Sequence, residues 1–262
     1  MQTRRALYRV TLVLFIALGL NIALWTGSSE FLARWGGVPP VPGKKGAVVM
    51  GLGDAQFSYR LGAVTLQNIG NSPGQEVSLR DYDYNKVGEW LWLLHGLDPA
   101  SNDVPMVAAY YFGGTRVPDD VAVIVDYLSV IGQNPAGNKW RWLAHAVFLA
   151  RHRMNDQKLA LDMAYALSKM QPVGDQLPIW ARQMPAFVLA DTGDKQAARQ
   201  LVENLLLSGD RWHGNEIEFM KYYLRHDLGV PRAEIDALMK KREDMGVTTA
   251  EGQRDTLPAL MP

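Results

Sequence analysis

The densest group of reactive or recognising side chains is Lys139-Trp140-Arg141-Trp142, followed on the same expected helix by Arg151, His152 and Arg153. Indole and guanidinium groups serve recognition more than bond-making, because each presents a large flat surface together with a hydrogen-bond donor. Both are common anchors of protein interfaces. A groove lined this way would take an acidic segment or a C-terminal carboxylate. Tyr110, Tyr111 and Trp180 fall at similar places in the neighbouring segments. With one aromatic of each set facing outward, Tyr110, Tyr111, Lys139, Trp140, Arg141, Trp142, Arg151 and Trp180 would form an aromatic-basic track that binds protein partners. The competing reading puts Trp140 or Trp142 between helices as core and leaves the basic residues in water.

Bond-making chemistry finds less support. His145 and His152 lie two turns apart, too far for the usual i, i+4 metal pair, and no His-Glu-x-x-His occurs. His95, His213 and His226 are isolated. Asp81-Tyr82-Asp83 lacks the following Gly and distal Glu of a calcium loop, so capping and packing of the next helix is the expectation there. Gly51-Leu52-Gly53 lacks the third glycine of a phosphate loop. No Gly-x-Ser-x-Gly, Walker or kinase motif is present. With no cysteine, thiolate catalysis, Cys-ligated zinc and disulfides are excluded. No cofactor and no catalytic residue is expected. The rival enzyme class, an envelope glycan hydrolase, needs two carboxylates across a cleft, which sequence alone does not place.

The elements that must position these residues repeat. Helix stops at Leu97-Asp98-Pro99, Gln133-Asn134-Pro135 and Met170-Gln171-Pro172 put prolines 36 and 37 residues apart, and Leu207-Ser208-Gly209 is a fourth stop without proline. Ala122, Ala160 and Ala198 recur at intervals of 38. Asn155 and Gly193 lie five residues before the last two, where a left-handed residue would turn one helix into the next. A period of this size marks stacked helix pairs, none of which buries its apolar face alone. The pattern resembles the tetratricopeptide family. Gly193/Ala198 and Asn155/Ala160 match its turn glycine and small second-helix residue, and Pro99, Pro135 and Pro172 match its closing proline. The interval exceeds the family's roughly 34 residues, and Val117-Pro118-Asp119-Asp120 replaces the turn glycine of the first unit. The resemblance implies an all-α, TPR-like α-solenoid of antiparallel helix pairs, whose first helices line the concave binding face.

Expected pairs are Ala55–Ile69 with Tyr84–Leu97, Val104–Phe112 with Asp119–Ile131, Lys139–Arg153 with Asp156–Met170, Leu177–Asp191 with Asp194–Leu207, and Asn215–Leu228 with Arg232–Met245. Asp54 and Asp83 are expected as caps and Gly70 as a stop. Pro178 fits a first turn, while Pro185 should kink or break its helix. The last helix is charged along its length, as suits a terminal cap.

Ahead of the array, Val10 to Trp25 is apolar except for Thr11, Gly19 and Asn21, and Arg4, Arg5 and Arg9 precede it. With Ala6–Tyr8 this approaches the ~20 residues of a membrane span. The basic flank orients the N-terminus to the cytoplasm, and Trp25 without an Ala-x-Ala site favours an uncleaved anchor over a signal peptide. The expected layout is a basic N-terminus (1–9), one transmembrane helix as signal anchor (10–26), a Pro/Gly-rich linker (27–53) with a short interfacial helix at Phe31–Trp35, the repeat domain (54–246) and a disordered tail (247–262). Zero net charge argues against nucleic acid as a partner. These features lead to an expectation of a bacterial inner-membrane protein with a periplasmic domain that scaffolds a membrane or envelope complex. The alternative of the same kind is a tethered chaperone for exported chains.

Overall fold

The computed structural model describes residues 2–28, 37–72, 75–174 and 177–247, with side chains described over 11–27, 37–70, 77–174 and 177–247. Among these it is all-α. Thirteen helices run in order: α1 Gln2–Ser28, α2 Lys44–Met50, α3 Ala55–Gln67, α4 Tyr84–Leu97, α5 Asp103–Tyr110, α6 Pro118–Gly132, α7 Trp140–Leu149, α8 Gln157–Ser168, α9 Ile179–Arg182, α10 Met184–Asp191, α11 Lys195–Leu207, α12 Gly214–His226 and α13 Arg232–Asp244. The only extended pairing among the described residues, apart from a single bridge, is a minimal antiparallel hairpin, Asn71–Ser72 with Gln75–Glu76.

Aspartates cap the starts of four helices. Asp54 accepts from the amides of Gln56 and Phe57 at α3, and Asp83 from Lys86 at α4. Asp156 accepts from Leu159 at α8, and Asp194 from Ala197 at α11. Each satisfies amides that the first turn leaves open. Ahead of α8 and α11, Asn155 (φ 56°) and Gly193 (φ 88°) take the left-handed conformation expected of them. Ahead of Asn155 the chain widens into a π-turn, Ala150–Met154. Pro185 breaks the expected Leu177–Asp191 helix into α9 and α10, and it sits in the first turn of α10, where it forfeits no hydrogen bond.

Two connected apolar clusters form the core. The larger runs from Val38 through α4, α6, α7 and α8 to Val188; the smaller joins Ile179, Leu189, Val202, Met220 and Ile235. Leu161 packs against both. Ala160 and Ala198 are fully buried where α8 and α11 meet their neighbours. Both are the fourth residue of their helix, and in α6 the fourth residue is Val121, fully buried, and not Ala122, which is only partly covered. The register expected from alanine spacing is therefore one residue off in that unit, because its helix opens with Pro118 instead of an Asp cap.

Long-range polar bonds recur at one interval. Lys139–Ser101, Trp142–Asn102, Arg151–Asp191, Ile179–Glu216, Arg199–Glu234 and Tyr223–Ala186 all join residues 35 to 40 positions apart. Ala136 and Val173 form a parallel bridge, the Val173 amide donating to Pro135 O at 2.8 Å. Such regularity follows when each segment meets mainly its neighbours in sequence.

Residues 37–53, expected within a spacer, lie on the domain instead. Val38 is fully buried, the Trp90 indole donates to Pro39 O at 3.0 Å, and Lys44–Met50 is helical. Prolines that look like a spacer in sequence here lay an extended strap over α4. The Asp81–Tyr84 segment packs as expected: Tyr82 donates to Ile69 O (2.7 Å) and Tyr84 to Phe112 O (3.0 Å). Among the described residues no helix is long and apolar enough to cross a membrane. The side chains described in α1 are those of 11–27, so the basic flank and the first residue of the expected span lie outside them, as do Phe31–Trp35 and residues 248–262.

Candidate interaction face

Three of the eight expected track residues are buried. Lys139 is 4% exposed, and its ammonium donates to Ser101 O at 2.5 Å. Burial pulls its pKa below the ordinary lysine range, against an opposing pull from Asp98. The Trp142 indole donates to Asn102 Oδ1 at 2.8 Å, and Asn102 in turn donates to Asn138 Oδ1. Trp140 is buried, its ring centroid 5.5 Å from that of Trp180. The core reading therefore holds for Trp140 and Trp142, and Lys139 joins them as a correction: Lys139 and Trp142 tie the turn before α5 to the start of α7, and Trp140 packs α7 on α9. Arg141 stays in solvent above the Trp140 ring, 5.4 Å from its centroid, and Trp180 is partly exposed beside them. Arg151 lies at the other end of α7, ion-paired with Asp191.

Tyr110 goes elsewhere and brings unexpected company. It is 71% exposed, and its ring lies edge-on to His145 at 4.8 Å. His145 is 5.7 Å from Phe148, and Phe148 is 4.9 Å from His152. These form a ladder of four rings along α5, α7 and the π-turn that follows it. Tyr111, 38% exposed, leans away from this ladder, edge-on to Phe112 at 5.1 Å, with its hydroxyl 3.4 Å from that of Tyr82. Past His152 comes the Arg151–Asp191 pair, whose charges reach the Tyr223 phenol. Phe187 on α10 then meets Tyr223 (4.9 Å) and Phe219 (6.3 Å) on α12. Tyr110, Phe148, His152, Phe219 and Tyr222 are exposed.

Burial controls the titration of this row. It holds His145 below the ordinary histidine range, partly offset by the bond to Ala109 O at 3.1 Å. A carbonyl only accepts, so Nε2 carries the proton in the neutral ring. His152 is held down by burial and then by Arg151, with Asp191 opposing. Burial first, then Asp227, pushes Tyr223 up to about 12. The row is thus neutral and aromatic at neutral pH, with one compensated ion pair at its middle.

Periodicity could have found this row. Tyr110 and His145 are 35 residues apart, Phe148 and Phe187 39, and Phe187 and Tyr223 36. Residues 145, 148 and 152 share one helical stripe. Attention to basic charge hid the pattern, since four of its members are uncharged aromatics.

An open cleft of about 330 Å³ between α12 and α13 is lined by Glu218, Lys221, Tyr222, Arg225, His226 and Asp236 among others. Its carboxylates are engaged: Glu218 pairs with Lys221 at 2.7 Å and Asp236 with Arg232 at 3.8 Å. Asp120 is raised by burial and by Asp119, but it lies in the first turn of α6 beside Thr115. Among the described residues no group of three or more His, Asp or Glu could hold a metal ion. Compared with protein-family models, curated proteins and solved structures, the chain gives no match.

Proposed function

We propose that the chain is a membrane-anchored, non-enzymatic scaffold: a TPR-like array of helix pairs, tethered by α1 at a bacterial inner membrane with its domain in the periplasm. It binds protein partners along the first helices and so helps assemble or stabilise a membrane or envelope complex. The observation that carries this reading is the Tyr110–His145–Phe148–His152 ladder. Its rings cross from one helix pair to the next in van der Waals reach, yet several remain open to solvent. Rigid aromatics with few rotatable bonds make strong contacts at low entropic cost. Anchoring is supported by Leu14, Phe15, Leu18, Ile22 and Trp25, which are exposed around α1. A helix that is apolar all round needs an apolar surrounding. The Arg4, Arg5 and Arg9 flank supports the orientation.

The test is in vivo crosslinking from a photoreactive residue at Phe148, with Val130 on α6 as the control position. One discrete envelope partner captured from position 148 supports the scaffold. A broad set of exported chains means a tethered chaperone. Adducts from Val130 alone mean that the second helices carry the binding face.

A further inference from the structure

Helix α3 is apolar on two opposite sides. Tyr59, Gly62 and Leu66 face the domain, Gly62 so closely that a Cβ would lie 2.5 Å from Leu94 Cδ2. Phe57, Leu61 and Val64, spaced i, i+4, i+7 on the far side, are all exposed. Beside them Val49 and Met50 end α2 exposed, and Leu52 is 91% exposed at φ 55°, a left-handed conformation that Gly or Asn adopts at far lower cost. A leucine there gains nothing from the fold. These six exposed side chains lie on α2, α3 and the turn between them, at the start of the helical domain, where a solenoid left in water needs a polar cap. Lys45 and Arg60 are exposed near it, and neither forms a salt bridge among the described residues.

We propose that this end surface docks on the bilayer that holds α1, with Leu52 and Phe57 inserted at the interface and Lys45 and Arg60 on anionic headgroups. The occupant is argued from two facts. Apolar side chains with adjacent unpaired cations are the composition of an interfacial membrane contact. Only residues 29–43 separate α1 from α2, so the patch is held within roughly 50 Å of the end of α1 even with the chain fully extended. The inference rests on the reading of α1 as a membrane anchor.

The chain has no cysteine, so single-cysteine probes are clean. Leu52→Cys, Trp25→Cys and Lys240→Cys variants of the full chain would carry a fluorophore in vesicles of phosphatidylethanolamine and phosphatidylglycerol with interface-depth nitroxide lipids. Docking predicts quenching at position 52 several-fold above that at 240, lost on adding Leu61→Glu and Val64→Glu with helix content unchanged. Quenching at 25 but not at 52 overturns docking and leaves the anchor. Shielding of 52 that grows with protein density, without lipid quenching, overturns it in favour of a second copy. Quenching at neither 25 nor 52 overturns both readings.

Discussion

At its C-terminal end the array turns Ile235 and Arg242 inward on α13 and puts Arg232, Asp236, Lys240, Lys241, Glu243 and Asp244 in water. At its N-terminal end it turns Tyr59, Gly62 and Leu66 inward on α3 and puts Phe57, Leu61 and Val64 in water. One terminal helix is attached by a buried guanidinium and finished with charge. The other is attached by apolar packing and left apolar outside. A helix array exposes two such ends, and a polar outer face is what keeps an end from associating. In the docking proposed above, α13 is complete in water, whereas α3 is covered by the bilayer.

The largest effect expected from breaking this comparison is at the attached side of α3. Leu66 is fully buried, and Leu66→Ala should cost about 3 kcal/mol, the middle of the range for buried leucines. Urea unfolding of the full chain in detergent measures it. A loss below ~1 kcal/mol would mean that α3 is not a packed end at all.

At the other end, Arg242 is 2% exposed; its guanidinium donates to Leu206 O and, at 3.0 Å, to Asp210 O. It satisfies carbonyls that the end of α11 would otherwise leave open. Arg242→Met keeps much of the apolar stem and removes the donors, so about 2 kcal/mol should be lost, in the range of hydrogen bonds to charged groups. Amide exchange should rise in α13 before it rises in α3. Arg242→Lys should rescue little, because one ammonium does not span both carbonyls.

How far these features were legible in sequence depends on what set them. Helix starts capped by Asp54, Asp83, Asp156 and Asp194, the turns at Asn155 and Gly193 and the break at Pro185 are local chemistry, and the chain spells them out. Arg242 was hidden in Lys240-Lys241-Arg242-Glu243-Asp244, a run that reads as solvated. Only its spacing of seven from Ile235 puts it on the inner stripe. Trp140 and Trp142 show the opposite error. Trp142 spends its indole N–H on Asn102, and Trp140 spends its ring on Trp180. Pro39 is held by Trp90, more than fifty residues on, a contact that no local pattern contains.

Acid should act unequally along the chain. His95, His145 and His152, on α4, on α7 and in the π-turn, are held below the ordinary histidine range, with burial the first cause of each shift. Unfolded, they take up protons from about pH 6.5 downward; folded, they resist until lower pH. The unfolded state therefore binds more protons in that window, and stability is full above it and falls as pH drops through it. Arg242 keeps its charge throughout. Exchange in α4 and α7 should rise between pH 7 and pH 5.5 ahead of exchange in α13, and His145→Gln should flatten the slope. A uniform rise would mean that these helices are coupled as one unit.

The smallest expected effect is the most discriminating. Leu61 lies on the outer side of α3, and Leu61→Glu should change unfolding stability by no more than about 0.5 kcal/mol, as for other exposed sites away from special features. The same change at Ile235, 4% exposed on α13, would bury a carboxylate and open the last hairpin. Equal tolerance at both positions would erase the difference between a finished end and an unfinished one. A large loss at Leu61 would show that the outer face of α3 is already covered by protein. A neutral Leu61→Glu that nonetheless lowers lipid quenching at position 52 would separate folding from docking. The apolar side of α3 would then belong to the protein's surroundings and not to its core.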